Sequence, residues 1–321
     1  MKKLLVILAT WLFLAPVAFA QEFLTLLQTG TPEQVQAAIA GGAKVNDKIG
    51  GSGMTPLMIA AQKNPNPEVI TTLLKAGAGL NDESAVVATP LMYAAWNPNP
   101  EVISVLLKAG AKDRPKIPPG MAAVWTALMW AAGYNSNPEV ITTLLKAGGR
   151  IEERDGDNYT PLMYAARYNA NPEIIMLLVK AGAKIDDKAG SGMTPLILAA
   201  GRNPNPEVIT ALLNAGAKID DRAGNGRTSL MEAAMANENP EVISILLKAG
   251  AKLDDKDPNG RTPLMWAAWQ NHNPQVVMIL LNAGADGKLK CDDKTAFDYA
   301  AGNDKLQGTD AYEALRKAAG K

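Results

Sequence analysis

Cysteine occurs once in this 321-residue chain, at Cys291, and histidine once, at His272. One cysteine cannot close an intramolecular disulfide, so packing must hold the fold, and Cys291 reads as a half-buried thiol in the last loop. One histidine beside one thiol leaves none of the common zinc ligand sets, and no Ser-His or Cys-His nucleophile beyond those two residues. No enzyme, cofactor or metal site is therefore expected, since acid–base work would fall to carboxylates that all have structural explanations. Asp255-Lys256-Asp257-Pro258-Asn259-Gly260 matches the first half of a calcium loop, but Trp266 stands where the bidentate glutamate belongs. Charge of one sign is missing too. With Lys2 and Lys3 removed from the 32 basic residues, 30 face 32 acidic ones, and the signs alternate. Nucleic acid, which wants a basic stripe, is excluded as a partner.

Long apolar runs are absent after the first twenty residues. Lys2 and Lys3, the run Leu4 to Leu14 and the small-x-small end Ala18-Phe19-Ala20 have the form of a secretory signal peptide cleaved before Gln21. The run is short against the ~20 residues that span a bilayer, so no membrane span should remain after cleavage. A periplasmic or secreted monomer is expected.

What the chain does have is repetition. Thr55, Thr89, Thr126, Thr160, Thr194, Thr228 and Thr262 open seven units of one pattern, spaced by 34 residues except for a single interval of 37. A period of this length means stacked supersecondary units that bury their apolar faces only against neighbours. Within a unit, Thr160-Pro161 and Asn171-Pro172-Glu173 each join a capping residue to a proline at the first helical position. Ile174, Ile175, Leu177 and Leu178 recur at helical spacing, and Gly182 suits the left-handed residue past the helix end. Asp186, Asp187, Gly190 and Gly192 supply turn chemistry for a projecting, hairpin-like finger.

The run Asp257-Pro258-Asn259-Gly260-Arg261-Thr262-Pro263-Leu264, followed by paired alanines and Leu-Leu-x-Ala-Gly-Ala, closely resembles the ankyrin repeat, in register over nearly the whole mature chain. The resemblance implies an all-α solenoid of helix-turn-helix units. Its parts are a signal peptide at 1–20, an N-terminal cap at 21–54, seven repeats at 55–285 and a C-terminal cap at 286–321, about nine units with caps. Two departures stand out. Methionine (Met58, Met92, Met129, Met163, Met231, Met265) or Ile197 replaces the family's usual histidine after Thr-Pro-Leu, so burial should replace that ring's hydrogen bonds. Most repeats also carry an extra residue between the helices, in an Asn-Pro-Asn-Pro-Glu turn. The third finger, Lys112 to Trp125, is longer than its neighbours and holds Pro115, Pro118 and Pro119. Insertions of this kind map to the binding face.

In ankyrin proteins the first helices and fingers line a concave groove that grips partners. Ten of the 14 aromatic residues of the mature chain fall on those elements. Tyr93, Trp130, Tyr164 and Trp266 fit packing between repeats. Trp96, Trp125, Tyr134, Tyr159, Tyr168 and Trp269 fall at outward positions, with Arg167 and Arg202 beside them as polar contacts. These eight form the expected protein-binding site, because Tyr, Trp and Arg dominate interface hot spots. The sequence leaves three roles open: a scaffold for a partner protein, an inhibitor or immunity protein for a secreted toxin or envelope enzyme, or a small-ligand or ion-binding envelope protein.

Overall fold

The computed structural model describes residues 21–113 and 125–321. Residues 1–20, read above as a signal peptide, and the proline-bearing part of the third finger lie outside the described residues. Regular structure among those described is wholly α-helical, and isolated bridges such as Ile49–Met54 and Arg222–Thr228 close fingers as minimal hairpins. The chain divides into two compact units, one running to Ala131 and taking in Asn137–Arg150, the other Ala132–Ser136 with Ile151–Lys321.

The first unit opens with α1 (21–29) and α2 (Pro32–Ala40). It continues through α3 (Pro56–Lys63), α4 (Pro67–Lys75), α5 (Pro90–Ala94), α6 (Pro100–Lys108), most of α7 (Ala127–Tyr134), and α8 (Pro138–Lys146). Each threonine cap works as the sequence predicts, its hydroxyl accepting the amide three residues on, as Thr55 does from Met58. The methionine does more than fill space. Its sulfur accepts the cap residue's own amide, from Thr55 at 3.3 Å, Thr89 at 3.4 Å and Thr126 at 3.5 Å. In these three repeats a thioether therefore supplies a weak acceptor where burial alone was expected.

The second unit holds α9 (Pro161–Tyr168) and α10 (Pro172–Lys180), α11 (Pro195–Arg202) and α12 (Pro206–Asn214), α13 (Ser229–Ala236) and α14 (Pro240–Lys248), then α15 (Pro263–Gln270) and α16 (Pro274–Asn282). The closing pair is α17 (Ala296–Ala300) and α18 (Asp310–Ala318). First helices pack on first helices and second on second, α11 lying against α9 and α13 and α12 against α10 and α14. Paired alanines such as Ala165, Ala166, Ala199 and Ala200 are fully buried between them, allowing the close approach that small residues permit. Fingers also touch through backbone, with Gly190 N–H donating to Asp157 O and Gly224 N–H to Ser191 O. Gly192 is obligatory in that strip, because its φ is +74° and a Cβ would sit 2.4 Å from the Gly224 nitrogen. At the end, Lys321 and Thr295 hold the Asp298 carboxyl down at about 2.

The Asn-Pro-Asn-Pro turn, met in the sequence as one surplus residue, is a structural device. Its first asparagine is buried in every repeat. In the second unit, Asn203 Nδ2 donates to the carbonyls of Ala166 and Asn169, Asn237 to those of Ala200 and Asn203, and Asn271 to those of Ala234 and Asn237. The first unit repeats the motif, Asn97 donating to Ala61 and Asn64, and Asn64 to Gly30. Each buried Oδ1 accepts the amide of the second asparagine, which caps the following helix and reaches back to the previous turn, as Asn205 does to Ala170 O. Backbone groups that a solenoid would otherwise leave dry are thus satisfied from one repeat to the next.

Candidate functional site

Within the first unit Trp130 is the hub of an aromatic cluster, with ring centroids 6.1 Å from Tyr93, 5.4 Å from Trp96 and 5.4 Å from Trp125. Tyr93 is buried, Trp125 and Trp130 are half-buried, and Trp96 is exposed. Trp96 stands out because α5 ends three residues earlier than the eight-residue first helices, one residue having been lost from its turn.

Within the second unit, four expected residues meet. Tyr134 and Tyr168 stack at 5.3 Å with 23° between their planes and remain 40% and 42% exposed. Tyr168 also stacks on the buried Tyr164, which lies 5.5 Å from Tyr159. Arg167 fixes the group: its guanidinium carbon lies 5.1 Å from the Tyr168 ring and 5.8 Å from that of Tyr159, and Nη1 donates to the Tyr159 hydroxyl at 2.8 Å. Beneath them Tyr164 donates to Asp155, whose other oxygen accepts the amides of Asp157 and Tyr159 and so closes the finger turn. Burial first, and Asp155 next, push the Tyr164 phenol well above its ordinary range. Burial likewise raises Tyr134 and Tyr159, against the lowering influence of Arg167. All three rings are thus neutral at ordinary pH.

Arg202 occupies the place of Tyr168 one repeat on and is exposed. Trp269 belongs to a separate cluster, stacked 5.3 Å from the buried Trp266 and 6.0 Å from Tyr299. That cluster holds two arginines that sequence reasoning passed over. Arg227 lies 4.2 Å from the Trp266 ring and pairs with Glu232 at 3.1 Å, while Arg261 lies 5.2 Å from both Trp266 and Trp269. Each stands directly before a capping threonine, the position Tyr159 holds in its own repeat, and that register is the signal that could have found them.

The remaining special residues have structural work. Asp257 Oδ1 accepts the amides of Asn259 and Arg261, the finger-turn role its place in the motif requires. Cys291 is deeper than the sequence suggested, 4% exposed, with its thiol donating to Asn259 O at 2.9 Å. His272 is exposed and 3.6 Å from Glu238. No helix of the described residues is long and apolar enough to cross a membrane.

Helix pairs recurring every 34 residues, joined side to side by buried asparagines and edged by touching fingers, define a helical tandem-repeat protein. The family model described as Ankyrin repeats (3 copies) matches residues 24–116, 120–189, 168–257, 196–291 and 230–317, and the chain belongs to the ankyrin-repeat family. Proteins built this way are generally protein-interaction scaffolds and typically not enzymes. No curated protein matches the chain.

Proposed function

We propose that this chain is an exported ankyrin-repeat scaffold that grips a partner protein with its first helices and fingers. What supports the reading is the stack of Tyr134 on Tyr168, exposed yet pinned by Arg167. Rings held in place before binding bring large area at little cost in rotamer freedom, the quality that marks interface anchors. In the first unit Trp96 and Trp125 offer the same chemistry.

The test compares baits in an envelope extract, followed by affinity measurement on the protein captured. Tyr134→Ala and Tyr168→Ala should leave folding intact and each cost at least ~2 kcal/mol, about thirtyfold in affinity. Thr210→Ala, exposed on the second-helix side, should cost nothing. If the tyrosine changes are silent and Thr210→Ala disruptive, the partner uses the opposite face.

Export rests on residues 1–20 and places the mature protein in the periplasm or outside the cell. Intact-mass measurement on protein from its native host should find Gln21 first. A retained Met1 would remove the export part of the proposal and leave the scaffold part standing.

A further inference from the structure

We infer that the aromatic face of the second unit receives an acidic, extended segment of the partner, with carboxylates spaced to match the repeats. The inference rests on the scaffold reading and adds the chemistry of what is bound. Besides Arg154 and Arg222, which are paired along the finger edge, four successive repeats, the fourth to the seventh, carry an arginine on the first helix or directly before its capping threonine: Arg167, Arg202, Arg227 and Arg261. Three of them lie against rings, Arg167 on Tyr159 and Tyr168, Arg227 on Trp266, and Arg261 on Trp266 and Trp269. A guanidinium stacked on a ring keeps its charge and offers its N–H edge to a carboxylate in bidentate fashion.

Several carboxylates of the same first helices and fingers are already engaged. Glu232, its side chain 7% exposed, neutralises Arg227. Asp155 serves Tyr164 and its own turn, Asp187 and Asp255 pair with Arg154 and Arg222 along the finger edge, and Asp298 pairs with Lys321. The glutamates of the second helices, Glu173, Glu207 and Glu241, sit in the first turns of those helices. A chain of balanced charge thus sets Arg167 and Arg261 against the exposed rings of Tyr168 and Trp269, and Arg167 and Arg202 are left with no carboxylate opposite them among these pairs.

Spacing narrows the ligand. Neighbouring helices pack ~8–10 Å apart, and an extended chain advances ~3.3 Å per residue, so a segment crossing the repeats meets one first helix about every three residues. Because Glu232 silences the sixth repeat, carboxylates are wanted opposite the fourth, fifth and seventh. Apolar side chains between the acids would rest on Tyr168 and Trp269. A peptide fits this alternation better than a uniform polyanion does, and the neighbouring lysines Lys184 and Lys218 already pair with Glu152 and Asp186.

The probe is a fluorescein-labelled 15-residue peptide of Glu-Val-Ser repeats, titrated with the mature protein by anisotropy in 50 mM salt. Binding should weaken at least tenfold in Arg202→Glu and in Arg167→Gln, and at least tenfold again in 300 mM salt. The Gln-Val-Ser peptide should not bind. Arg202 is exposed, so its variant keeps the fold, which a thermal melt checks. No binding of the Glu-Val-Ser peptide, equal binding by the Arg202→Glu protein, or displacement of the peptide by heparin or duplex DNA at lower concentration than by unlabelled peptide would each overturn the inference. If the peptide ignores the arginines while Tyr168→Ala still releases the envelope partner, the acidic reading alone falls. If Tyr168→Ala is silent as well, the placement of the partner on the first helices and fingers falls with it.

Discussion

Replacing Asn203 by alanine is expected to destabilise the second unit by about 3 kcal/mol or more, far beyond what an inter-helix turn normally costs. The side chain is fully buried; its amide donates to Ala166 O at 3.0 Å and Asn169 O at 2.8 Å, and its oxygen accepts from Asn205 N at 3.0 Å. Truncation strands three backbone groups, and a buried unsatisfied group costs ~1–3 kcal/mol. Water entering the vacated space would offset part of the sum, hence the low end of the range. Asn205→Ala removes a cap nearer the surface and should cost only ~1 kcal/mol. Denaturant melts of both variants decide the matter: equal midpoints would mean that the buried ladder does not couple the repeats.

Leu178→Ala on α10 should cost ~2–5 kcal/mol, because Leu178, Ile174 and Ile175 are all fully buried and helices packed on both sides cannot collapse into the cavity. The loss should spread along the stack, since each repeat leans only on its neighbours. Hydrogen exchange should therefore quicken most in α9 to α12 and least in α17 and α18. Acceleration of equal size in every helix of the unit would contradict this one-dimensional picture.

The helices were legible because their signals are local. Thr-Pro and Asn-Pro mark starts, glycines such as Gly182, with φ +103°, mark ends, and the apolar spacing of α10 marks its buried stripe. The asparagine ladder was not legible, because Asn203 is defined by carbonyls 34 and 37 residues earlier and nothing beside it in sequence says that they will lie within reach. The methionine sulfurs at the caps escaped for a related reason: sulfur is so weak an acceptor that composition suggests only burial. At the candidate site, exposed rings were found from their register, and the structure joins Tyr134, Tyr159, Arg167 and Tyr168. It gives Trp269 to another group, whose organisers, Arg227 and Arg261, look in sequence like ordinary finger charges.

The buried asparagines also give the stack a direction. Asn64, Asn97, Asn203, Asn237, Asn271 and Asn303 all send their amide hydrogens to carbonyls of the chain that precedes them. The pair α1 and α2 has no such asparagine and presents the Gly30 carbonyl, at a residue where any side chain would strike Leu26 O. The pair α17 and α18 brings a donor, Asn303. A repeat emerging from a ribosome or a translocation channel amino-end first would find its acceptors already in place and could dock as soon as its own turn was complete. In the opposite order, each new repeat would hold its asparagine amide hydrogens unpaired until the carbonyls of the preceding repeat were made.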